Sequence, residues 1–116
     1  MVQPLIEYGE KLHIVTRRRY ETDMSNHFVG ILRASVNSII RVHGYAFVFD
    51  DEKKEYFRHP ELRTRIFGLD KADFIVNLIH PETELDEVVY EVKDDRLFAT
   101  DNRRFSLDIT EYSLRG

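Results

Sequence analysis

The stretch Thr64-Arg65-Ile66-Phe67-Gly68-Leu69-Asp70-Lys71-Ala72-Asp73-Phe74-Ile75-Val76-Asn77 decides the fold class of this chain. It contains two short apolar runs that meet at a glycine and a polar tight turn. Aromatic and β-branched residues bounded by glycine and aspartate are typical of strands and the turns between them. The pattern predicts the last two strands of a small β-barrel, over residues 63–69 and 74–79.

The sequence on either side of this stretch is also rich in strand patterns. Gly30 lies inside the predicted strand 27–36, where a glycine marks a bend or a close backbone approach. The predicted strand 39–49 follows the short polar turn Asn37-Ser38, and Gly44 near its middle is typical of a hinged strand that serves two sides of a barrel. Further strands are predicted at 11–16, 55–58, 88–92, 96–99 and 105–109, with one acidic helical turn at 82–87. The chain is therefore predicted to be all-β, a small five-stranded barrel-like body with a C-terminal β appendage.

Length and composition are those of an ordinary globular protein. At 116 residues, with 42% hydrophobic and 33% charged residues, the chain fits a single domain, 1–116. Within it, we expect a barrel body at 10–80 and an acidic C-terminal β segment at 81–116. The absence of cysteine rules out disulfides and thiolate metal sites. No signal peptide and no membrane-spanning run of about 18 apolar residues is recognised, so the expected location is cytoplasmic.

The net charge of −4 hides an uneven distribution. Residues 1–50 carry +1, residues 51–80 carry 0 and residues 81–116 carry −5. A domain that binds nucleic acid is usually basic overall, because phosphate neutralisation supplies much of its affinity. Any basic patch must therefore be local, and Arg17-Arg18-Arg19 with Arg33 and Arg41 is the candidate.

Two segments resemble the Sm-like fold, the small bent-sheet barrel of the Sm and bacterial RNA-chaperone proteins. Phe28-Val29-Gly30-Ile31-Leu32 looks like the second strand of that fold, in which a glycine lets the sheet bend. Arg65-Ile66-Phe67-Gly68-Leu69-Asp70, followed by residues 74–79, is similar to the second Sm motif. The likeness covers residues 10–80, and SH3-like barrels share much of the pattern. The chain as a whole also resembles a bacterial or phage family that has no assigned function.

The resemblance implies assembly of copies through the strands of the second motif. In Sm-like proteins these strands pair with a neighbour and close a ring, which removes the exposed sheet edges. A shield formed by the chain's own C-terminal segment would account equally well for the apolar strand 74–79. On the first interpretation the interface residues are Arg65, Phe67, Phe74, Val76 and Leu78.

RNA binding is the family-level expectation, although the residues depart from the usual RNA site. In the region 34–40 only Asn37 matches the base-binding residues, and Phe67 stands where the motif usually has arginine. Arginines with a nearby aromatic residue form surfaces that bind phosphate and stack on bases. A solvated, salt-bridged strand end is the alternative interpretation of the arginine run at 17–19. The residues predicted to bind RNA are Arg17, Arg19, Asn37, Arg41 and Tyr45.

No pattern of residues indicates catalysis, a metal or a cofactor. The five histidines have no common metal-ligand spacing, and His43 is the best single candidate for a ligand contact beside the more frequent role of a packed or surface histidine. The acidic runs at 50–52 and 94–95 are explained by turns. We therefore expect a non-enzymatic, homo-oligomeric binding or scaffold protein. The alternative is a protein-interaction module that uses a sheet edge or the acidic surface 82–95 and binds no nucleic acid.

Overall fold

The computed structural model describes residues 7–16, 26–50, 52–53, 55–70 and 74–110. Within these residues the chain forms strands and one short 3₁₀ turn, Leu85–Glu87, so the all-β prediction is confirmed. None of the described residues belongs to a helix that is long and apolar enough to cross a membrane. The strands are β1 (Lys11–Thr16), β2 (Asn26–Val36), β3 (Ile39–Asp50), β4 (Glu55–Arg58), β5 (Arg63–Gly68), β6 (Phe74–Leu78), β7 (Val89–Lys93), β8 (Arg96–Thr100) and β9 (Ser106–Asp108).

The first sheet contains six strands in the order β4-β3-β2-β1-β6, with β5 also paired to β3. Every pairing in it is antiparallel. Strand β3 pairs with β2 along one edge, and along its other edge residues 39–44 pair with β5 while residues 47–50 pair with β4. Gly44 lies where the partner changes, so the prediction of a long glycine-hinged strand that serves two sides is confirmed.

One face of this sheet, which we call the inner face, curls around a hydrophobic core. Phe67 of β5 packs edge-to-face on Phe28 of β2 and on Phe74 of β6, with ring centroids 5.7 and 5.5 Å apart. A sheet can bury a cluster built from its own strands only if it bends until its ends approach each other. The cluster consists of Leu12, Ile14, Phe28, Leu32, Ile40, Val42, Ala46 and Phe67, with Leu69, Phe74 and Val76 packed against it.

The sheet does not close into a barrel. Strand β5 pairs with β3 and strand β6 pairs with β1, and no pairing joins β5 to β6 in the described part of the chain. The two sheet ends meet only through side chains such as Phe67 and Phe74. The predicted barrel body is therefore confirmed only in its coarser part, an all-β antiparallel sheet, because the sheet curls without closing. The sheet has six strands in the described residues where five were predicted.

The bend is located at two facing glycines. Gly30 of β2 and Gly44 of β3 are cross-strand partners. A Cβ placed on Gly44 would lie 2.0 Å from the carbonyl oxygen of Val29 and 2.4 Å from the Cα of Gly30. The predicted close backbone approach at Gly30 is thus confirmed, and only glycine permits it at either position.

The second sheet, with the order β7-β8-β9, covers part of the opposite, outer face of the first sheet. Val29 and Phe47 of the first sheet share a core with residues of the C-terminal segment. This segment is therefore a second layer that packs on the body and not a separate tail. The shared core consists of Val29, Phe47, Ile79, Val88, Leu97, Ala99, Phe105 and Ile109, with Tyr45, Tyr56, Leu85, Tyr90 and Leu107 packed against it.

Candidate functional site

The unpaired edges of β5 and β6 are the first candidate for a functional surface. Each strand has one strand partner among the described residues, so the backbone groups along its other edge have no ladder partner there. Both strands carry an exposed aliphatic side chain: Ile66 of β5 is 65% exposed and Leu78 of β6 is 58% exposed. An open edge with apolar side chains is a template for pairing with another chain. The described strands of the second sheet do not pair with β6, so they do not cover this edge.

The five residues predicted at an oligomer interface fall into two groups. Phe67 is buried in the inner core, and Phe74 and Val76 pack against that core, so these side chains stabilise the fold of the chain itself. Arg65 and Leu78 are exposed. The Arg65 guanidinium lies 5.6 Å from the centre of the Phe28 ring, where it covers one side of the core. A partner at these edges would meet backbone groups together with Arg65, Ile66 and Leu78.

Three of the five residues predicted to bind RNA belong to the described part of the chain. Arg17 and Arg19 lie outside the described residues. Asn37, in the turn between β2 and β3 with φ of 54°, and Arg41 are exposed at the same end of the sheet. Tyr45 is half-buried, packs against the second core and has the Arg58 guanidinium 4.5 Å above its ring. One face of its ring is therefore already occupied.

An exposed apolar patch lies near Asn37 and Arg41, and we call it the tip patch. It consists of Val36, Ile39 and Ile66, which are 68%, 52% and 65% exposed. Val36 pairs with Ile39 across β2 and β3, so the two side chains lie side by side. These three residues line a shallow depression of about 100 Å³ together with Arg41. Sequence reasoning missed the patch, because each of its residues fits the alternating pattern of a buried strand.

The second candidate site is a buried chain of polar side chains between the two sheets. His13 of β1 is fully buried and His27 of β2 is 2% exposed. The Tyr90 hydroxyl of β7 lies 2.8 Å from Nε2 of His13 and 2.5 Å from Nδ1 of His27. The amide nitrogen of Asn77 in β6 lies 3.3 Å from the other nitrogen, Nδ1, of His13. We call Asn77, His13, Tyr90 and His27 the buried polar chain.

The register of the first sheet explains why these residues meet. His13 lies directly opposite Asn77 on one side and Val29 on the other, so all three side chains project from the outer face. His27 lies opposite Val15, two residues further along β1 and therefore on the same face. The second sheet then places Tyr90 over both histidines, with its ring stacked on Phe47 at a centroid distance of 4.4 Å.

The donors and acceptors of the buried polar chain follow one another in a single order. The Asn77 amide donates to Nδ1 of His13, so the single proton of the neutral imidazole lies on Nε2 and is donated to the Tyr90 oxygen. The Tyr90 hydroxyl is then free to donate to Nδ1 of His27. A proton added to Nδ1 of His13 would meet the N–H donor of Asn77, so this hydrogen bond requires a neutral His13 ring.

Burial also disfavours charge within the buried polar chain. Desolvation, followed by the proximity of His27, lowers the pKa of His13 from 6.5 to about 3. Desolvation, followed by the proximity of Tyr56, raises the pKa of Tyr90 well above its usual value. Burial therefore keeps His13 and Tyr90 uncharged at neutral pH.

No pattern in the sequence indicates the buried polar chain. His13 and Tyr90 are far apart in sequence, and a histidine between Leu12 and Ile14 fits an alternating strand whose polar face meets water. His43, which the sequence favoured as a ligand contact, is half-buried and its Nδ1 lies 3.0 Å from the Thr64 hydroxyl. No group of three or more histidines and carboxylates within the described ranges is arranged to hold a metal ion.

The acidic C-terminal segment carries less unpaired charge than its composition indicates. Arg103 pairs with Glu87 at 3.0 Å, and Arg104 pairs with Glu82. The loop that carries both arginines is organised by Asp101, whose Oδ1 accepts the backbone N–H groups of Arg103, Arg104 and Phe105 at 2.9 Å each. Burial of Asp101 opposes its ionisation, but these N–H groups outweigh that cost and lower its pKa.

Comparisons with protein-family models, with curated proteins and with solved structures find no match for this chain. The likeness to the Sm-like fold therefore rests on the residues already described. The candidate functional features of the described chain are the open edges, the tip patch and the buried polar chain.

Proposed function

We propose that this protein is a non-enzymatic binding and scaffold module that works by strand pairing, and that its partner at the open edges is a second copy of itself. The single observation that carries the proposal is that β5 and β6, at opposite ends of one curled sheet, each have an edge with no strand partner among the described residues. Two different edges on one chain can pair head-to-tail with neighbouring copies, and such heterologous contacts close into a ring when the rotation per copy allows.

The side chains at these edges support this proposal. Ile66 and Leu78 are among the most exposed large aliphatic residues of the described chain. Pairing of β5 with the β6 of a neighbour would shield both the backbone groups and these side chains from water. In such a pairing, Arg63 and Arg65 of β5 would face only neutral residues of the neighbour's β6, so no like-charge repulsion would oppose the contact.

The test is the absolute mass in solution, by size-exclusion chromatography with light scattering. We expect an oligomer, of roughly five to seven copies if the Sm-like pattern holds. A monomer at every concentration would overturn the proposal. Lysine on an edge strand blocks pairing, so Ile66→Lys and Leu78→Lys should each lower the mass. Leu62→Lys, at a 55% exposed loop residue outside the strands, is the matched control and should leave the mass unchanged.

RNA binding is the second candidate function, favoured by Arg33 and Arg41. Both side chains are exposed near the turn at Asn37, and no carboxylate of the described residues forms an ion pair with either. With single-stranded RNA as the probe, Arg17→Ala combined with Arg19→Ala, or Arg41→Ala alone, should weaken binding and flatten its salt dependence between about 50 and 200 mM salt. An affinity and a salt slope that match those of the ion-paired control Arg104→Ala would refute this candidate.

A further inference from the structure

The second sheet is joined to the outer face of the first by an apolar core that contains one polar connection. Within the buried polar chain, the Tyr90 hydroxyl is the group that crosses from β7 to the histidines of β1 and β2. The titratable side chains around it come from several strands: His13 from β1, His27 from β2 and Tyr56 from β4, with Lys11 further along β1 bonded to the carbonyl oxygen of Thr83 at 2.5 Å. Asn77 of β6 is the neutral member.

We propose that the buried polar chain is an acid-sensitive latch, which holds the second sheet on the outer face at neutral pH and releases it when a histidine takes up a proton. This inference is independent of strand pairing at the open edges. It assigns to the fold a conformational change that uncovers the apolar outer face around Val29 and Phe47.

When the second sheet is closed, a proton added to Nδ1 of His13 has no hydrogen-bond acceptor. In the closed form, Nδ1 of His13 faces the donating amide of Asn77, and Nδ1 of His27 faces the hydroxyl of Tyr90. His13 is fully buried, and its imidazolium would be formed without water and with no carboxylate of the described chain in contact with it. Opening the second sheet exposes His13 to water, where its pKa returns towards 6.5.

The core of the first sheet forms without the second sheet, whereas the core of the second sheet needs residues of the first. This difference determines which sheet can open. The inner core is built from first-sheet residues together with Leu69 of the β5–β6 connection, and it does not need the second sheet. The second core takes Val29 and Phe47 from the first sheet, and the segment 88–109 supplies five of its eight buried members. Release of the second sheet breaks this core and leaves the inner core intact, so it costs less than unfolding of the whole chain and is a local opening.

Proton uptake makes the opening equilibrium depend on pH in a defined way. An exposed His13 is half protonated at pH 6.5 and almost fully protonated at pH 5, so the equilibrium constant for opening should rise with a slope that approaches tenfold for each unit that the pH falls. Between pH 6.5 and pH 5 the rise amounts to about 16-fold.

The test is amide hydrogen exchange of the full chain at several pH values, expressed as protection factors so that the intrinsic exchange rate is removed. We expect protection in β8 to fall about 16-fold between pH 6.5 and pH 5, and to be lower than protection in β2 and β3 at both pH values, because the second sheet opens without unfolding of the first. Equal protection of β8 and of β2 and β3 at both pH values would show that only global unfolding exposes β8, and it would overturn the latch. Equal protection of β8 at the two pH values would overturn it as well.

Two variants distinguish the effect of protonating His13 from the effect of losing the Tyr90 hydroxyl contact. His13→Gln keeps an amide that can donate to Tyr90 but cannot be protonated, so the pH dependence of β8 protection should be lost. Tyr90→Phe removes the bridge and keeps the ring on Phe47, so β8 should be less protected already at pH 7. If His13→Gln retained the full pH dependence of β8 protection, His13 would not be the proton acceptor and the proposal would fail.

Discussion

Gly30 and Gly44 face each other across β2 and β3 so closely that neither position has room for a side chain. A Cβ on Gly30 would lie 2.5 Å from Cγ1 of Val42 and 2.8 Å from the carbonyl oxygen of His43. Both glycines lie on the inner face, where the sheet curls most tightly around its core. The contact lets strands that are distant in the sheet order share one cluster, which a flat sheet could not form.

Alanine at Gly44 should therefore be strongly destabilising. The added methyl group would overlap backbone atoms at 2.0 and 2.4 Å, and backbone cannot move aside as a flexible side chain can. Overpacking of a core costs about 1–3 kcal/mol, and a clash with backbone belongs at or above the upper end of this range. We expect Gly44→Ala to lower the free energy of unfolding by about 3 kcal/mol or more, measured by urea denaturation.

Gly68→Ala is the control for this substitution. A Cβ there would meet only the Asp70 side chain, at 3.3 Å, so its effect should stay within about 1 kcal/mol. Equal losses for the two variants would mean that the close approach of β2 and β3 is not what requires glycine at position 44.

Removal of the Tyr90 hydroxyl should weaken the contact between the sheets. Tyr90→Phe keeps the stacked ring but leaves Nε2 of His13 and Nδ1 of His27 without this partner in a buried place. Unsatisfied buried polar groups cost about 1–3 kcal/mol each. We expect a loss of about 2 kcal/mol in the free energy of unfolding. The exposed Tyr8, mutated to Phe, should change it by less than about 0.5 kcal/mol.

The free energy of unfolding should decrease as the pH is lowered from 6.5 to 5. The pKa of His13 is about 3 in the folded chain and 6.5 for an exposed side chain, so in this range the unfolded chain binds more protons. The stabilisation is complete above pH 6.5 and is lost as the pH falls towards 3. One unit corresponds to about 1.4 kcal/mol, so the loss between pH 6.5 and pH 5 should be about 2 kcal/mol.

Urea denaturation of the wild type and of His13→Gln at both pH values measures this contribution. Asp108 does not interfere, because its pKa is lowered from 3.8 to about 2 by Arg96 and Thr110 and its contribution changes only below pH 4. The variant should lose most of the pH dependence. If it kept the dependence of the wild type, the proton would bind elsewhere.

Asp101 should be required for the β8–β9 connection. Its carboxylate accepts three backbone N–H groups, and Asp101→Ala would leave these donors with no side-chain acceptor. We expect a loss of about 1–3 kcal/mol in the free energy of unfolding. Asp101→Asn keeps one acceptor oxygen and should recover part of the loss. Equal effects of alanine and asparagine would indicate that the charge, and not the oxygen, organises the loop.

The sequence by itself determined the local structure. Alternating apolar residues located the strands to within about two residues. Polar turns were placed correctly at Asn37 and at Asp94-Asp95, whose positive φ angles of 54°, 53° and 67° suit these residue types. Gly30 and Gly44 indicated the bend. These features depend on neighbours in the chain, so a local pattern is sufficient to predict them.

Only the tertiary structure decided which strands pair and which polar residues are buried. Strands β5 and β6 are close in sequence, yet they pair with β3 and β1, because the curl of the sheet leaves each of them at a separate end. His13 is buried only because Tyr90, contributed from the far end of the chain, covers it. Such outcomes depend on contacts between distant segments, which alternation and turn chemistry along a single strand do not encode.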